Sequence, residues 1–416
     1  MEKFATKLLR YVVAWALVCL APLVYLRYGE NIVVSRDVAA INTTISSTIA
    51  LILGLHISRQ LFAFPGTRRL TQGLWAVFAG FVLVAAALLL LRIQYSVLLF
   101  AYSLGATAFL AVTWRGLFTS RTRNNFHLVP FGDVEQLNDL KDVTLVMMER
   151  PELPAARDAS IVADLRSDLP PEWERMLAAA ALHGIPVYHF RLLQESIAGK
   201  VKIEHLSENT LGSLIPDQSY KEIKWIADRI GALLLLPLVA PVLLAVAIII
   251  KLQDGGSIFY NQRRVGLGGK PFTIYKFRSM TMRERGDGEV RDAAITQDKD
   301  KRITPFGSFI RRYRIDELPQ IVNILKGEMS FIGPRPEAIP LAEWYDSELA
   351  FYSYRHIVRP GLSGWAQVNQ GHVADLDAVD FKLQYDFFYI KYFSPWLDLL
   401  ILLRTIRTIL TGFGSR

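Results

Sequence analysis

An apolar run of 25 residues, Ile226–Ile250, carries Pro237 and Pro241 near its middle and positive charge on both flanks. Lys221, Lys224 and Arg229 precede or open it, and Lys251, Arg263 and Arg264 follow. A helix of that length reaches across a hydrocarbon core of about 30 Å. Crossing would leave one basic flank on the far side, against the cytoplasmic bias of Lys and Arg. A proline-broken helix that enters and leaves by one face satisfies both flanks. The run therefore predicts a re-entrant membrane segment bent at Pro241, with the polar sequence behind it working at the membrane surface.

Composition agrees. Mean hydropathy is +0.25 and 51% of the 416 residues are apolar, high for a soluble chain. The formal charge of +8 suits nucleic acid, anionic lipid or a phosphorylated substrate, and charge alone does not choose among them. The basic residues track membrane flanks and motif loops, with no recognised nucleic-acid module, so nucleic acid is set aside. Cys19 is the single cysteine, which excludes an intrachain disulfide.

Apolar stretches near Leu8–Leu26, Val38–Ile57, Leu74–Leu91 and Val97–Trp114 each approach spanning length. The first follows Lys3, Lys7 and Arg10 as a signal peptide would. It lacks a clear small-x-small cleavage site and three more spans follow, so it reads as a retained helix. Arg59, Arg68 and Arg69 in one loop, and Arg115, Arg121 and Arg123 at the exit, set both ends of this bundle in the cytoplasm. A fifth crossing would export residues 251–416, so parity supports the re-entrant reading.

The runs FHLVPF, DVTLVMM, ASIVADL and IPVYHF between residues 126 and 205 fit buried parallel strands. PPEWERMLAAAALHG reads as a helix with Pro at its start and Gly184 at its stop. No G-x-G-x-x-G follows a strand, so nucleotide binding has no motif behind it, and a dimerisation or spacer role is preferred. Residues 206–220 read as a linker. The predicted architecture is a membrane protein of mixed α and α/β class. Residues 1–120 form four transmembrane helices and 121–220 a small Rossmann-like α/β module with its linker. Residues 221–416 form a mainly α domain with the re-entrant helix 226–250 and interfacial helices, among them the apolar Pro395–Leu410, for which core packing is the alternative.

Chemistry concentrates after residue 250. In IDELPQIVNIL, Pro319 fits only a first helical turn, which puts Asp316 and Glu317 at a helix N-terminus. There the dipole favours anions, carboxylate or phosphate. Adjacent carboxylates repel, and a divalent metal would relieve this while neutralising a diphosphate. The plainer alternative is an Asp cap with an acidic first turn. Lys276, Arg278, Arg302, Arg311, Arg312, Arg335, Arg355 and Arg359 sit in Gly- and Pro-punctuated segments where side chains converge. Arg335, fixed between prolines in GPRP, offers a bidentate fork for phosphate, although any such arginine could instead be solvated or reach lipid headgroups. Trp365 in GLSGWAQ reads as packing or an interfacial anchor.

Residues from about 221 to 416 resemble the bacterial sugar transferase family, the monotopic polyprenyl-phosphate hexose-1-phosphate transferases. The resemblance rests on KWIADRIGALLLLPLVAPVLL, IYKFRSM, IDELPQIVNILKGEMSFIGPRP, RPGLSGWAQVNQG and YDFFYIKYFSPWLDL, in that order. The whole chain looks like the larger members that initiate capsule, exopolysaccharide or O-antigen assembly. The resemblance implies transfer of a sugar-1-phosphate from a UDP-sugar to undecaprenyl phosphate with release of UMP. It implies Asp316 as nucleophile through a covalent phosphosugar-aspartate, Glu317 as the Mg²⁺ residue, and Lys276 and Arg335 as substrate residues, with Arg278, Arg302 and Arg359 expected beside them. The implied setting is the bacterial inner membrane, multi-pass, with the catalytic domain facing the cytoplasm. The family's Ser-Pro helix kink has alanine at position 240 here, so the kink rests on Pro241. Arg314 stands before IDEL where relatives often carry a small hydroxyl residue. A homodimer through residues 126–205 is also expected, and the role of Asp386 is open.

Two rival classes differ in their chemistry. A glycosyltransferase releasing UDP would need a D-x-D motif closing a strand; Asp298-Lys299-Asp300 has the form but no apolar strand before it. A membrane scaffold would tolerate Asp316→Asn.

Overall fold

The computed structural model describes residues 12–20, 24, 38–61, 69–113, 125–137, 144–155, 159–203, 216–280, 303–370 and 376–411. They form two compact units, Met1–Gly199 and Lys200–Arg416.

In the first unit, helical residues 12–20 precede α1 (Val38–Leu61), α2 (Arg69–Leu90) and α3 (Val97–Thr113). One core joins them: Val18 and Cys19 meet Ala50 and Leu51 of α1, Val77 and Phe81 of α2, and Phe100 and Leu110 of α3. A Cβ on Gly80 would sit 2.8 Å from the Ala50 carbonyl, a backbone approach that small residues permit between apolar helices. Ile45, Ile52, Leu83, Leu89 and Phe109 face outward, so the helices are apolar all round. By length and composition α1 can cross a membrane; the described apolar parts of α2 and α3 are shorter. Residues 8–11, 21–23, 25 and 26 of the first predicted span, the flanking Lys3, Lys7, Arg10, Arg115, Arg121 and Arg123, and Arg68 lie outside the described residues.

The four predicted apolar runs are strands: β1 (Asn125–Leu128), β2 (Thr144–Met147), β3 (Ser160–Ala163) and β4 (Val187–His189). They pair in parallel in the order β2-β1-β3-β4. The helix α4 (Pro171–Leu182) has proline in its first turn and ends before Gly184 at φ +72°. Its Trp173 and Met176 cover Val129, Ile161 and Ala163. Phe190 and Leu193 of α5 (Phe190–Ala198) cover Leu128 and Val162 on the other face. Alternation along β3 thus buries both faces, as a parallel sheet requires.

The second unit opens on α6 (Gln218–Asp254), 37 residues and about 55 Å at the usual rise. Asp217 caps it by accepting from the Tyr220 N–H, and Gly255 ends it at φ +71°. Two expectations change here. The predicted linker ends by residue 217, with 218–220 helical and 204–215 outside the described residues. The helix also runs unbroken through Pro237 and Pro241. Each proline removes one backbone bond, and the neighbouring bonds keep the helical path. On one side of the proline pair, Ala232 and Leu236 pack with Ile274, Ile321, Ile324 and Met329. On the other, Leu243, Val246 and Ile250 pack with Phe277 and Ile310. The opposite face leaves Leu233, Leu234, Leu238 and Leu244 exposed.

The rest of the unit surrounds that helix. An antiparallel hairpin joins β5 (Phe259–Val265) to β6 (Pro271–Phe277). Then follow α7 (Pro305–Arg312), a 3₁₀ turn Ile315–Gln320, α8 (Ile321–Lys326), β7 (Ser330–Ile332) and α9 (Ile339–Glu348). β8 (Gly361–Ser363) pairs in parallel with β7, and α10 (Trp365–Asn369), α11 (Leu376–Lys391) and α12 (Pro395–Thr411) close the unit. Leu397, Leu400 and Ile401 of α12 are fully buried, so this helix packs the domain core rather than lying at an interface. Trp365 stacks on Phe388 at 5.5 Å and is 1% exposed, a packing residue. A buried polar cluster fastens α6: Asp398 accepts from Lys224 Nζ (2.6 Å), Tyr220 and Tyr389, while Ser330 donates to Asp228 (2.6 Å).

Candidate active site

Three segments meet around one carboxylate. The 3₁₀ turn carries Asp316 and Glu317, both buried, as Pro319 in the helical start predicts, although the first turn is 3₁₀ rather than α. β6 brings Lys276, whose Nζ lies 3.4 Å from Glu317 Oε1. The loop after β7 brings Arg335, which grips Glu317 two-pronged: Nη2 to Oε1 at 2.6 Å and Nη1 to Oε2 at 3.3 Å. Arg314 adds a third cation, 3.6 Å from Oε1.

Glycines in two motifs place the arginine. Gly333 N–H donates to the Ser363 carbonyl (2.8 Å) and Gly361 N–H to the Pro334 carbonyl (2.9 Å). A Cβ on Gly333 would stand 2.4 Å from the Arg359 carbonyl, so the two chains meet only without one. Two guanidiniums then hold the loop by its backbone. Arg355 donates to the Arg335 carbonyl (2.9 Å) and Arg264 to the Pro336 carbonyl (2.6 Å). Asp386 holds Arg355 at 2.8 Å, and Lys382 pairs with Glu337.

The two acids are driven apart. Burial pushes the Asp316 carboxyl up to about 6, and the adjacent Glu317 charge adds to it. Burial would raise Glu317 too, but Arg335 and Lys276 outweigh it and hold that carboxyl well below its ordinary range. Burial lowers Lys276 to about 8 against the pull of Glu317. Asp316 Oδ1 is buried with no hydrogen-bond partner among the described residues. At neutral pH Asp316 is thus an anion with unengaged lone pairs, which needs no general base. The surrounding cations suit a phosphoryl group.

Metal capacity rests on the same pair. Among the described residues no cluster of three or more His, Cys, Asp or Glu could hold an ion. Glu317 Oε2 makes one long contact and Asp316 Oδ1 none, so both keep donor capacity. Mg²⁺ is typically held by one or two carboxylates completed by substrate phosphates and water, and this donor set fits that pattern.

Of the predicted site residues, Lys276, Asp316, Glu317 and Arg335 converge. Arg278 lies against Gly256, where a Cβ would stand 2.4 Å from its Nη1. Arg359 donates to the Gly327 carbonyl (3.1 Å) at the end of α8 and lies 5.7 Å over Trp225, beside Arg229. Arg302 and Asp298–Asp300 lie outside the described residues. Sequence reasoning missed the Arg355–Asp386 support, two residues 31 positions apart with no local pattern joining them.

The family described as Bacterial sugar transferase matches residues 219–412. Over 418 aligned residues the chain is 43% identical to the UDP-N-acetylgalactosamine-undecaprenyl-phosphate N-acetylgalactosaminephosphotransferase of Aeromonas hydrophila, covering 99% of this chain and 96% of the relative. It is 39% identical over 228 residues to a UDP-glucose:undecaprenyl-phosphate glucose-1-phosphate transferase of Xanthomonas campestris pv. campestris, 54% of this chain and 46% of that one. The enzyme of the same description from Escherichia coli K12 is 39% identical over 188 residues, 44% of this chain and 39% of its own length. With a likeness to the first of these that runs from one end to the other, the protein belongs to the bacterial sugar transferase family and is a transferase enzyme.

Proposed function

We propose that the protein transfers a sugar-1-phosphate from a UDP-sugar to undecaprenyl phosphate. The observation that carries this is Asp316, buried and without a hydrogen-bond partner at Oδ1 among the described residues, beside a Glu317 gripped by Arg335 and Lys276. The Asp316 carboxylate attacks the phosphorus bearing the sugar. A P–O bond forms, the bond to UMP breaks, and UMP leaves. An oxygen of the lipid phosphate then attacks the same phosphorus, which returns the Asp316 carboxylate and yields undecaprenyl-diphosphate-sugar. Arg335 and Lys276 neutralise the phosphoryl oxygens through both steps. Mg²⁺, held by Glu317 and the substrate diphosphate, would supply further charge neutralisation. The end-to-end relative favours N-acetylgalactosamine as the sugar.

The lipid acceptor fits the apolar face of α6. Both halves of this helix pack on the one domain, before and after Pro237 and Pro241, while the other face exposes leucines. That supports both ends of α6 lying at one membrane face, with the site at headgroup level. In this reading residues 1–120 anchor the chain by four spans in the bacterial inner membrane, with the catalytic domain in the cytoplasm. Exopolysaccharide, capsule or O-antigen initiation is the pathway class, and residues 126–205 form a homodimer contact; a monomer by light scattering in detergent would remove that last element.

The deciding experiment is nucleotide release from UDP-N-acetylgalactosamine, UDP-N-acetylglucosamine, UDP-galactose and UDP-glucose, with and without undecaprenyl phosphate and Mg²⁺. Lipid-dependent UMP, lost in Asp316→Asn, is expected. UDP release would point to glycosyl transfer.

A further inference from the structure

Asn323, in the short helix α8, is 0% exposed and turns its whole side chain to other segments. Its Oδ1 accepts from the Tyr275 N–H (3.2 Å), and its Nδ2 donates to the Thr273 carbonyl (2.7 Å) and to Glu328 Oε2 (2.7 Å). These partners fix the orientation of the amide. Turned over, its NH₂ would face an N–H, and its oxygen a carbonyl and a carboxylate. Asparagine is a poor residue for a helix interior, because its side chain competes with the backbone. On a helix whose Ile321 and Ile324 are core residues, an aliphatic side chain would bury without needing any partner.

The two contacts on β6 explain the asparagine. β6 pairs along one edge with β5, where Lys276 lies opposite Tyr260. Thr273 and Tyr275, two residues apart, turn a carbonyl and an N–H to the other edge. The Asn323 amide meets both as a neighbouring strand would. Packing of Ile274 on Ile321 and Ile324 holds the strand to α8 without direction. The amide bonds are directional, so they set how far along α8 the strand lies. The residue after Tyr275 is Lys276, whose Nζ is 3.4 Å from Glu317 Oε1. Asn323 serves the other two segments as well. α8 follows directly on the 3₁₀ turn of Asp316 and Glu317. The Asn323 carbonyl accepts from the N–H groups of Glu328 (3.0 Å) and Met329 (3.3 Å), where the chain turns into β7 and on to Arg335. One buried residue thus joins the three segments that meet at Glu317.

We propose that Asn323 is a positioning residue of the active site, whose side-chain amide holds β6 where Lys276 reaches Glu317 and a substrate phosphate; the phosphate contact rests on the sugar-phosphate transfer reading.

The test compares Asn323→Ala, which removes both bonds to β6, with Glu328→Ala, which removes only the third bond of the amide and leaves β6 held. Both are made in the full chain in detergent. Melting temperature is read, with kcat and KM for the UDP-sugar in UMP release. Both variants should melt below wild type, since each leaves a buried polar group unpaired. Their kinetics should part. A smaller folded fraction lowers the apparent kcat at unchanged KM, whereas a displaced Lys276 also weakens the hold on substrate. Asn323→Ala should therefore raise KM and lower kcat/KM about 10- to 100-fold. Glu328→Ala should keep both within about twofold of wild type. A KM within about twofold of wild type in Asn323→Ala would overturn the proposal. So would an equal rise of KM in Glu328→Ala, which would trace the effect to general loosening. Should Asn323→Ala not fold, Asn323→Ser, which keeps one hydrogen-bonding group toward β6, takes its place with the same expected rise in KM. If that variant also fails to fold, Asn323 is a fold residue and the proposal falls. Wild type that releases no UMP would end the transfer reading, and this proposal with it, before any variant is compared.

Discussion

Nη2 of Arg355 donates a 2.9 Å hydrogen bond to the main-chain carbonyl of Arg335, so one buried guanidinium sets the backbone of another. The first is held in turn by Asp386, through Nε at 3.0 Å and Nη2 at 2.8 Å, and by Tyr352 at 2.9 Å. Asp386, 1% exposed, is thereby linked to the grip on Glu317 without touching it. Asp386→Ala leaves the Arg355 charge buried and unpaired, at a cost of about 3–5 kcal/mol. Thermal unfolding in detergent should show a drop of several degrees, with UMP release reduced in the surviving fold. An unchanged melting temperature would sink this account of Asp386.

Gly333→Ala tests the crossing of the two motif loops. The new Cβ meets the Arg359 carbonyl at 2.4 Å and the Gly361 nitrogen at 3.0 Å, backbone atoms that cannot swing aside. Parting β7 from β8 should destabilise the fold by about 1–3 kcal/mol, as overpacking does, and displace Arg335. Melting temperature and UMP release should fall together. Activity preserved at wild-type level would show that the loops can separate without cost.

Much of this was legible in the sequence because the signals are local. The parallel strands declared themselves as short apolar runs, α4 by Pro171 and Gly184, and the Asp316–Glu317 turn by Pro319. Charge type and Gly-Pro punctuation marked eight basic residues and favoured Lys276 and Arg335 for phosphate; the structure brings those two to Glu317. What stayed hidden depends on distant partners. The apolar, charge-dotted α12 reads alike for an interface or a core until Asp398 is seen meeting Lys224 and Tyr389. Two prolines suggest a break in a helix, but neighbouring backbone bonds decide whether helical geometry survives them. A positive φ at Arg314 has no sequence signature at all.

The path of α6 is open to a cysteine scan in a Cys19→Ala background, since Cys19 is the single native thiol. Glu222→Cys and Gln253→Cys lie on exposed positions near the two ends of the helix, and Leu238→Cys is on its apolar face. In sealed vesicles, a membrane-impermeant maleimide should label positions 222 and 253 from the same side. Position 238 should be protected. Labelling of 222 and 253 from opposite sides would establish a crossing helix and end the re-entrant reading.

The acid–base arrangement predicts a bell-shaped rate profile. Burial, with the Glu317 charge, raises Asp316 to about 6, so below that pH the carboxyl keeps its proton and cannot attack. Burial lowers Lys276 to about 8, so above that pH it sheds the charge that faces Glu317 and the phosphate. UMP formation should rise through an apparent pKa near 6 and fall near 8, values belonging to the coupled site. Lys276→Arg should retain the acid limb and move the alkaline one out of range. Stability carries the opposite sign. Folded Asp316 holds its proton more tightly than the unfolded chain, whose value is about 3.9. Folding is therefore not penalised in acid, and a penalty grows as pH rises from about 4 to 6. Asp316→Asn removes that penalty, so it should melt above wild type at pH 7 and level with it at pH 4, while releasing no UMP. A variant that melts below wild type at pH 7 would show that the Asp316 charge stabilises the fold, and the assigned direction of its shift would be wrong.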